Sequence, residues 1–317
     1  DARPCGFLGQ RNGGINMLQM IQHMIAGILA SATIVGGGGV TVTEIVTPPG
    51  SVDPQNPPGL AEFIEMVPDA ARIDCSVIQN RTGGEDGLVP DGPYWNESFS
   101  LAAYDADGNL IGSMSGSGAL PEAENTITLN EYDADGNCIR TTDYQGDRVT
   151  HEVISTYDAQ GWALSSEFYQ DGDMYLTTEC TYTPQADGTV QRRAVNYARD
   201  GSVMSEAVIL LDSAGNPLHL ENPLGDRTIT TDLTYDEKGR VTLVVYDYGA
   251  AVPSETRYTY TDAADGSYTC TVELYDNGEL LSCTEQKYDA FGILMHEEER
   301  NPDGELLREV TVHTLKP

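Results

Sequence analysis

A five-residue turn pattern returns at regular intervals through the last two-thirds of this chain, and it constrains the fold more than any other feature. The pattern reads Tyr-Asp-x-x-Gly, and its clean copies begin at Tyr104, Tyr132, Tyr157, Tyr235 and Tyr288. Degenerate copies end at Gly188, Gly215 and Gly266. In such a segment the Asp side chain bonds its own backbone, and Gly supplies the positive φ that closes the turn. Successive glycines of this set lie 24 to 28 residues apart, a spacing typical of repeat proteins.

A second, weaker set of glycine turns falls between the members of the first set. Its glycines are Gly146, Gly172, Gly201, Gly225, Gly249, Gly278 and Gly304. Each unit of about 26 residues therefore holds two turns. With about four residues in each turn, strands of roughly 6–12 residues remain, which suits hairpins better than helices. The spacing thus predicts about eight two-stranded units.

The residues between the turns alternate in polarity. In the segment 268–274, the even-numbered residues are Tyr, Cys, Val and Leu, whereas the odd-numbered residues are Thr, Thr and Glu. The segment 229–235 alternates Ile, Thr, Leu and Tyr with Thr and Asp. A period of two, rich in Thr, Tyr and Val, indicates half-buried antiparallel strands. We therefore expect a mainly β protein, a repetitive antiparallel β-meander of about fourteen to sixteen strands with a short N-terminal helical segment.

A single-layer meander of this length has an apolar face that needs to be covered. Sheets beyond about ten strands curl or split. The sheet can coil on itself, pair with another subunit, or take the N-terminal helix as a lid. Coiling is the expectation that we place first, followed by an oligomer and then by the lid.

The Tyr-Asp-x-x-Gly turns that head short strands resemble the YD-repeat family, also called rearrangement-hotspot repeats, of bacterial surface and toxin proteins. The resemblance runs from about Ser98 to Leu315. It implies a curling strand-and-turn sheet and a secreted or cell-surface bacterial protein. Family members commonly continue the turn with Gly-Arg-Leu, and here only Gly239-Arg240-Val241 comes close. Eight short units are too few to enclose a toxin domain, so the resemblance implies the architecture and not the cargo function.

The chain is strongly acidic. Lys and Arg together number 17 against 50 Asp and Glu, which gives a net charge of −33. Such a surface repels phosphate backbones and anionic lipid headgroups, so we expect no nucleic-acid partner. Like charges that face each other also keep the edges of sheets from joining. The remaining interpretation, recruitment of cations or basic partners, is weaker than that of a solvated surface.

The six cysteines do not form a metal-binding pattern. None has Cys-x-x-Cys spacing, so no zinc site is expected. Cys270 and Cys283 flank the turn at Gly278 at nearly equal distances, which suits a cross-strand disulfide. A change of register by one residue would place them on opposite faces, as free thiols. Both states stay open, and with them the redox compartment.

Composition divides the chain into four predicted regions. They are an N-terminal apolar helix and strand (1–47), a Pro-rich linker (48–59), a small helix and strand cap (60–95) and the β-repeat domain (96–317). Within the cap, Leu60, Phe63, Ile64 and Val67 recur at helical spacing, which predicts an amphipathic helix that ends before Pro68. Residues 72–79 predict a strand.

The apolar run from Ile15 to Val35 has three interpretations. It can form a helix that covers the sheet or meets its copy in an oligomer, since its polar members lie on one face. It can contact a membrane, because it is long enough to span one. It can also be the remnant of an export signal. Gly36 to Gly39 then form a hinge before a strand-like segment that ends at Val46.

Candidate sites for chemistry are few. The weak calcium candidates are Asp105, Asp107, Asp133 and Asp135, in the two Asp-x-Asp-Gly-Asn segments. Calcium loops place Gly at the sixth position and here it stands at the fourth, so the turn interpretation is favoured. No His-Glu-x-x-His or Gly-x-Ser-x-Gly motif is present. We therefore expect neither an enzyme nor a cofactor.

These patterns favour a non-enzymatic extracellular repeat protein that acts as a structural or binding scaffold for an unidentified protein or glycan. One alternative is a self-assembling extracellular filament subunit, a homo-oligomer joined through the segment from Ile15 to Val46. Its strand can add to the edge of its own sheet, the pairing that we place first, or to the edge of a neighbour. Another alternative is an enzyme that acts on polysaccharide with carboxylates in a groove of the sheet.

Overall fold

The computed structural model describes residues 52–82, 94–117, 125–224, 227–290 and 292–315. A short helix, α1 (Leu60–Met66), precedes eighteen antiparallel strands. The strands are β1 (Arg72–Thr82), β2 (Tyr94–Tyr104), β3 (Leu110–Ser117), β4 (Thr126–Tyr132), β5 (Cys138–Gln145), β6 (Arg148–Tyr157), β7 (Ala163–Gln170), β8 (Asp173–Pro184), β9 (Val190–Ala198), β10 (Val203–Leu211), β11 (Pro217–Leu224), β12 (Arg227–Tyr235), β13 (Val241–Asp247), β14 (Ser254–Asp262), β15 (Tyr268–Asp276), β16 (Glu279–Tyr288), β17 (Leu294–Arg300) and β18 (Leu306–Leu315). The predicted helix and strand between Ile15 and Val46 lie outside the described residues.

Each strand pairs with the next strand along the chain, and β1 also pairs with β18. The meander expected from the sequence is therefore confirmed, and it closes into a barrel. The strand count is 18 rather than fourteen to sixteen. The region 60–95, expected as a cap, contributes β1 to the sheet itself, where β1 fills the gap between β2 and β18. Each of the described strands therefore has a neighbour on both sides, and none of them is an open edge.

The Tyr-Asp-x-x-Gly turns all lie at one end of the barrel, which we call the Tyr-Asp rim. It comprises the eight turns that follow the even-numbered strands β2 to β16. Their glycines, from Gly108 to Gly292, have φ between 76° and 91°. In the turn that starts at Asp133, the N–H of Gly136 donates to the Asp133 carbonyl (3.1 Å) and the Asp133 N–H donates to the Asn137 carbonyl (3.0 Å). The prediction that these glycines sit at chain reversals is confirmed.

The other end of the barrel, the opposite rim, carries the turns between each odd-numbered strand and the next even-numbered one. Asp171 and Gly172 have φ of 52° and 85°, and Asn277 and Gly278 have 49° and 80°. Two consecutive positive values define the two-residue hairpin whose twist matches that of its strands. Gly225, predicted to close one of these turns, lies outside the described residues.

The cross-strand registers assign side chains to two faces with different chemistry. One face carries Leu233, Val244 and Cys270, which are only 4%, 1% and 2% exposed. Helix α1 packs on the other face, so the closed wall itself encloses these side chains. We therefore identify this face as the inner one. The apolar positions predicted for 229–235 and 268–274 point inward, and Arg257 and Glu273 are paired on the outer face.

An apolar patch on the outer face of β1 to β4 is covered by α1. Phe63 is fully buried there, in a cluster that includes Leu101 and Met114. Gly112 permits the close approach of α1, because a Cβ at that position would lie 2.6 Å from Val67 Cγ1. Ile64, expected on the buried face of the helix, is instead 39% exposed. No helix among the described residues is both long and apolar enough to cross a bilayer.

The seam between β1 and β18 joins the two ends of the described chain. Ile73 lies opposite Leu315, and both side chains are buried. Asp74, only 3% exposed, accepts a hydrogen bond from the Thr314 hydroxyl (2.9 Å). Its carboxylate also contacts the Arg72 guanidinium (2.8 Å). A buried carboxylate is tolerated only with such partners. The seam is therefore held by specific side-chain contacts of Asp74 in addition to its backbone ladder.

Candidate functional site

The calcium candidates lie in two turns of the Tyr-Asp rim. Asp105 Oδ1 accepts the N–H groups of Asp107 (2.9 Å) and Asn109 (2.8 Å), and its Oδ2 accepts Asn109 Nδ2 (2.8 Å). Asp133 makes the equivalent bonds to Asp135 and Asn137. The bond from the Asn137 side chain is the main cause that lowers the pKa of Asp133. Both carboxylates thus accept hydrogen bonds from their own turns. This geometry adds no support to the weak prediction of a calcium site.

The tyrosines of the repeat connect neighbouring units. Four of their hydroxyls donate to the backbone carbonyl of a residue just beyond the preceding turn of the same rim, whereas the Tyr288 hydroxyl donates to Gln286 Oε1 (3.0 Å) on its own strand. The bonds run from Tyr132 to Leu110 (2.9 Å), from Tyr157 to Cys138 (2.8 Å), from Tyr182 to Ala163 (2.9 Å) and from Tyr235 to Pro217 (2.6 Å). Burial raises the pKa of Tyr182 to about 12, so its hydroxyl keeps the proton that it donates. These hydroxyls act as ties between units rather than as reactive groups.

An aromatic cluster gathers on the Tyr-Asp rim at β14 to β16. The rings of Tyr268 and Tyr288 stack with their centroids 4.7 Å apart, and the Arg240 guanidinium lies 4.1 Å from the centre of the Tyr260 ring. A shallow depression of about 240 Å³ adjoins them, and Asp262 forms part of its lining. Aromatic faces beside charged groups suit glycan or cationic ligands.

A group of possible metal ligands lies on the outer face of β17 and β18. Glu298 is directly opposite Glu309, and His296 lies two residues before Glu298 on the same face. The potential ligand atoms of the three side chains are all within 4.8 Å of one another. One imidazole and two carboxylates suit Zn²⁺ or Mn²⁺. Such an ion would compete with Arg300, whose Nη2 lies 2.6 Å from Glu298 Oε2.

A second shallow depression, of about 250 Å³, adjoins this group. Glu309 belongs to the group of possible metal ligands and also lines this depression. Gln79 and His313 of the seam and Val52 of the segment that precedes α1 line it as well. The search of the sequence for a His-Glu-x-x-His motif does not detect this group. The missed signal is the His-x-Glu spacing at 296 and 298, because a separation of two places both side chains on one face of a strand.

The electrostatics of Glu298 do not suit acid catalysis. The bond from Arg300 lowers the pKa of Glu298, and His296 acts in the same direction. A glycosidase needs one carboxylic acid whose pKa is raised, so that it carries a proton for the leaving group. Glu298 is therefore suited to hold a cation or an ion pair.

The inner face contains a buried cation. Arg192 is 7% exposed, and its Nη2 lies 3.1 Å from Cys180 Sγ. Its Nε is buried and makes no hydrogen bond to the residues that the structure describes. Glu297, also buried, accepts bonds from Arg308 (2.7 Å) and Gln286 (2.8 Å). The inner face is thus polar in places, and its buried Glu297 is paired.

The disulfide alternative for Cys270 and Cys283 is wrong. Cys270 pairs with Gln286 on the inner face, whereas Cys283 pairs with Glu273 on the outer face. Both are free thiols. The register is shifted by a bulge between Leu274 and Tyr275, which moves the two cysteines out of alignment. Burial raises the pKa of Cys270 to about 11, so this thiol is protonated near neutral pH and unreactive.

Comparison with known proteins finds likeness in structure alone. No protein-family model matches the chain, and no curated protein matches its sequence. A porin-like protein from Bacteroides uniformis ATCC 8492 gives a TM-score of 0.41 at 13% identity, over 77% of this chain and 97% of that one. A protein named as exported, with a YmcC-like fold, from Bacteroides fragilis NCTC 9343 gives 0.20 at 9% identity, over 77% and 94%. Likenesses this weak carry no argument about function, and the resemblance to YD repeats stays a prediction.

Proposed function

We propose that this protein is a non-enzymatic extracellular scaffold that binds other macromolecules on a closed β-barrel. One observation carries the proposal: the residues that the sequence repeats are used to hold the barrel together. The repeated Asp carboxylates accept hydrogen bonds from their own turns, as at Asp133, and four Tyr hydroxyls tie their unit to the one before it, as at Tyr157. Repeated polar groups that are used in this way indicate a structural role rather than an active site.

The chemistry of the outer wall supports an aqueous environment. Charged side chains recur along its strands, and several form cross-strand ion pairs. Arg140 lies 2.9 Å from Glu152, and Arg193 contacts Glu206. Arg or Lys side chains at the middle of a lipid-facing wall would cost about 2–4 kcal/mol each, and Asp or Glu would cost less. A wall of this kind belongs in water, as expected for a protein displayed outside the cell.

The experiment incubates the full chain with a panel of soluble polysaccharides and purified cell-surface proteins, and it measures binding and polysaccharide turnover in the same samples. We expect saturable binding to at least one surface polymer or protein, without any time-dependent release of reducing ends. Products that accumulate in proportion to protein concentration, and that disappear in a Glu298→Gln Glu309→Gln variant, would refute the scaffold role in favour of the polysaccharide enzyme. Protease treatment of intact cells tests the location, and protection of the protein until the cells are lysed would contradict it.

A further inference from the structure

Exposed apolar side chains are concentrated at the opposite rim. Ten large apolar side chains among the described residues are more than a third exposed. Eight of them lie at or beside the hairpins of this rim, between β5 and β16, and we call these eight the apolar rim. Its members are Val149, Tyr175, Val203, Met204, Tyr248, Val252, Leu274 and Leu281. Single exposed apolar residues are ordinary, but here eight of the ten lie at one end of the barrel.

Three of these residues stand at the same kind of backbone irregularity, a β-bulge. In the hairpins β7–β8, β9–β10 and β15–β16 the register shifts by one residue, which leaves Tyr175, Met204 and Leu281 without a cross-strand partner. A bulge of this kind turns the extra side chain away from the regular alternation. The equivalent extra residue of the hairpin β5–β6 is Thr150.

The apolar rim is interleaved with negative charge. Seven acidic residues stand at the same hairpins, namely Asp147, Asp171, Asp173, Asp200, Asp247, Asp276 and Glu279. Only two basic residues accompany them. Arg148 contacts Asp171, and Arg199 lies 3.5 Å from Asp173, so both are already paired within the rim. The surface therefore offers apolar contacts within a net negative field.

We propose that the apolar rim docks a partner protein through a cationic amphipathic segment, one that carries apolar residues beside Lys or Arg. Charge complementarity selects this occupant. A second copy of the chain would bring the same net negative rim, and like charges at an interface oppose association. An anionic bilayer would be repelled for the same reason. The inference rests on the proposed binding role and names the class of partner.

The experiment uses the full chain and a labelled synthetic amphipathic helix of Leu and Lys, with binding followed by fluorescence anisotropy. The test variant combines Tyr175→Ser, Met204→Ser and Leu281→Ser, which removes apolar surface and leaves the net charge unchanged. The matched control combines Ile64→Ser and Leu164→Ser, two apolar residues that are similarly exposed away from this rim (39% and 42%). We expect the triple variant to weaken binding by about tenfold or more and the control to change it less than about twofold.

Three results would overturn the proposal. Equal affinities of the triple variant and the wild type would show that the peptide binds only through the overall negative charge of the protein. Wild-type chains that dimerise in sedimentation, but not after the triple substitution, would assign the rim to self-association. Flotation with phosphatidylcholine vesicles, lost in the triple variant, would assign it to a lipid surface. Met204→Ser alone, at a side chain that is 64% exposed, supplies the test if the triple variant does not fold. Turnover of a polysaccharide would refute the scaffold role without changing these affinities, so the two failures are distinguishable.

Discussion

At the scale of single residues, four tyrosines of the repeat each tie a hydroxyl to the preceding unit. Tyr157 is the simplest case, because its hydroxyl donates to the Cys138 carbonyl at 2.8 Å. We expect Tyr157→Phe to lower the free energy of unfolding in urea by about 1–2 kcal/mol, since the carbonyl loses its partner in a half-buried place. The control is Tyr169→Phe, which removes an exposed bond to Glu167 and should change stability by less than about 0.5 kcal/mol. Equal losses would show that the tie between units contributes nothing of its own.

The turn glycines are needed for their backbone conformation and not for lack of space. Gly136 has φ of 85°, and a Cβ placed there would meet no atom within 4 Å. We expect Gly136→Ala to destabilise the protein by about 1–2 kcal/mol, the cost of a left-handed conformation for an L-residue. Gly136→Asn should lose less, because Asn tolerates that conformation better. Urea denaturation of the two variants tests this, and a larger loss for Asn than for Ala would point to steric crowding instead.

His219 gives the outer wall a dependence on pH. Its Nδ1 lies 2.6 Å from Asp232 Oδ1, and this hydrogen bond is the main cause that raises the pKa of His219. A raised folded-state pKa means that the stabilisation is fully present below the unfolded value of about 6.5 and is lost as the pH rises through the folded pKa. We expect His219→Gln to reduce the unfolding free energy at pH 6 and to have a smaller effect at pH 9.

Asp232→Asn, which removes the main partner and leaves Glu221 3.4 Å from Nε2, should give a pH dependence of the same direction as His219→Gln but smaller. Urea titrations of both variants at the two pH values measure the effect. A loss that is equal at pH 6 and pH 9 would contradict the assignment, because an effect without pH dependence cannot come from the charged form of His219.

At the scale of elements, α1 is held by one deeply inserted side chain. Phe63 is fully buried against the patch on β1 to β4, whereas its neighbour Ile64 is 39% exposed. We expect Phe63→Ala to cost about 3–5 kcal/mol, the range for an aromatic truncation in a core. Ile64→Ala on the same helix is the matched control and should cost less than about 1 kcal/mol. The comparison uses thermal unfolding, and similar losses for the two variants would mean that α1 does not pack as described.

The elements are also the level that the sequence predicts best. Period-two alternation and turn glycines are local signals, so the strands β12 and β15, their inward-pointing residues and the reversals at the Tyr-Asp rim follow from them. The amphipathic helix at Leu60 was found in the same way. Its orientation was only partly predicted, because a seven-residue helix has too few turns to define its buried face. Bulges leave no comparable signal, and one of them separates Cys270 from Cys283.

At the scale of the whole molecule, closure could not be derived from the same signals. Each hairpin is specified by its own turn, but the seam joins Asp74 to Thr314, which are 240 residues apart in the chain. Nothing local distinguishes β1 from a strand in a separate cap. The candidate metal group shows the same limit. The spacing of His296 and Glu298 can be read from one strand, whereas Glu309 joins them only through the register of β17 with β18.

Closure predicts a pattern of amide protection that an open sheet cannot give. In an open sheet, every second N–H group of each edge strand would face solvent. These groups would be among the amides that exchange fastest. In the barrel, β1 pairs with β2 on one side and with β18 on the other. We expect native-state hydrogen exchange to protect the amides of Cys75 and Val312 as strongly as amides in the middle of β8 and β9.

Thr314→Val removes the bond to Asp74 and should speed exchange along the seam, since a buried carboxylate that loses a partner destabilises its surroundings first. Thr311→Val provides the matched control. Thr311 lies on the same strand as Thr314, opposite Val77 on the outer face, and it does not bond Asp74. Fast exchange of alternate β1 and β18 amides in the wild type would mean that the seam is open in solution, and the barrel would then have to be redrawn as a coiled sheet with two free edges.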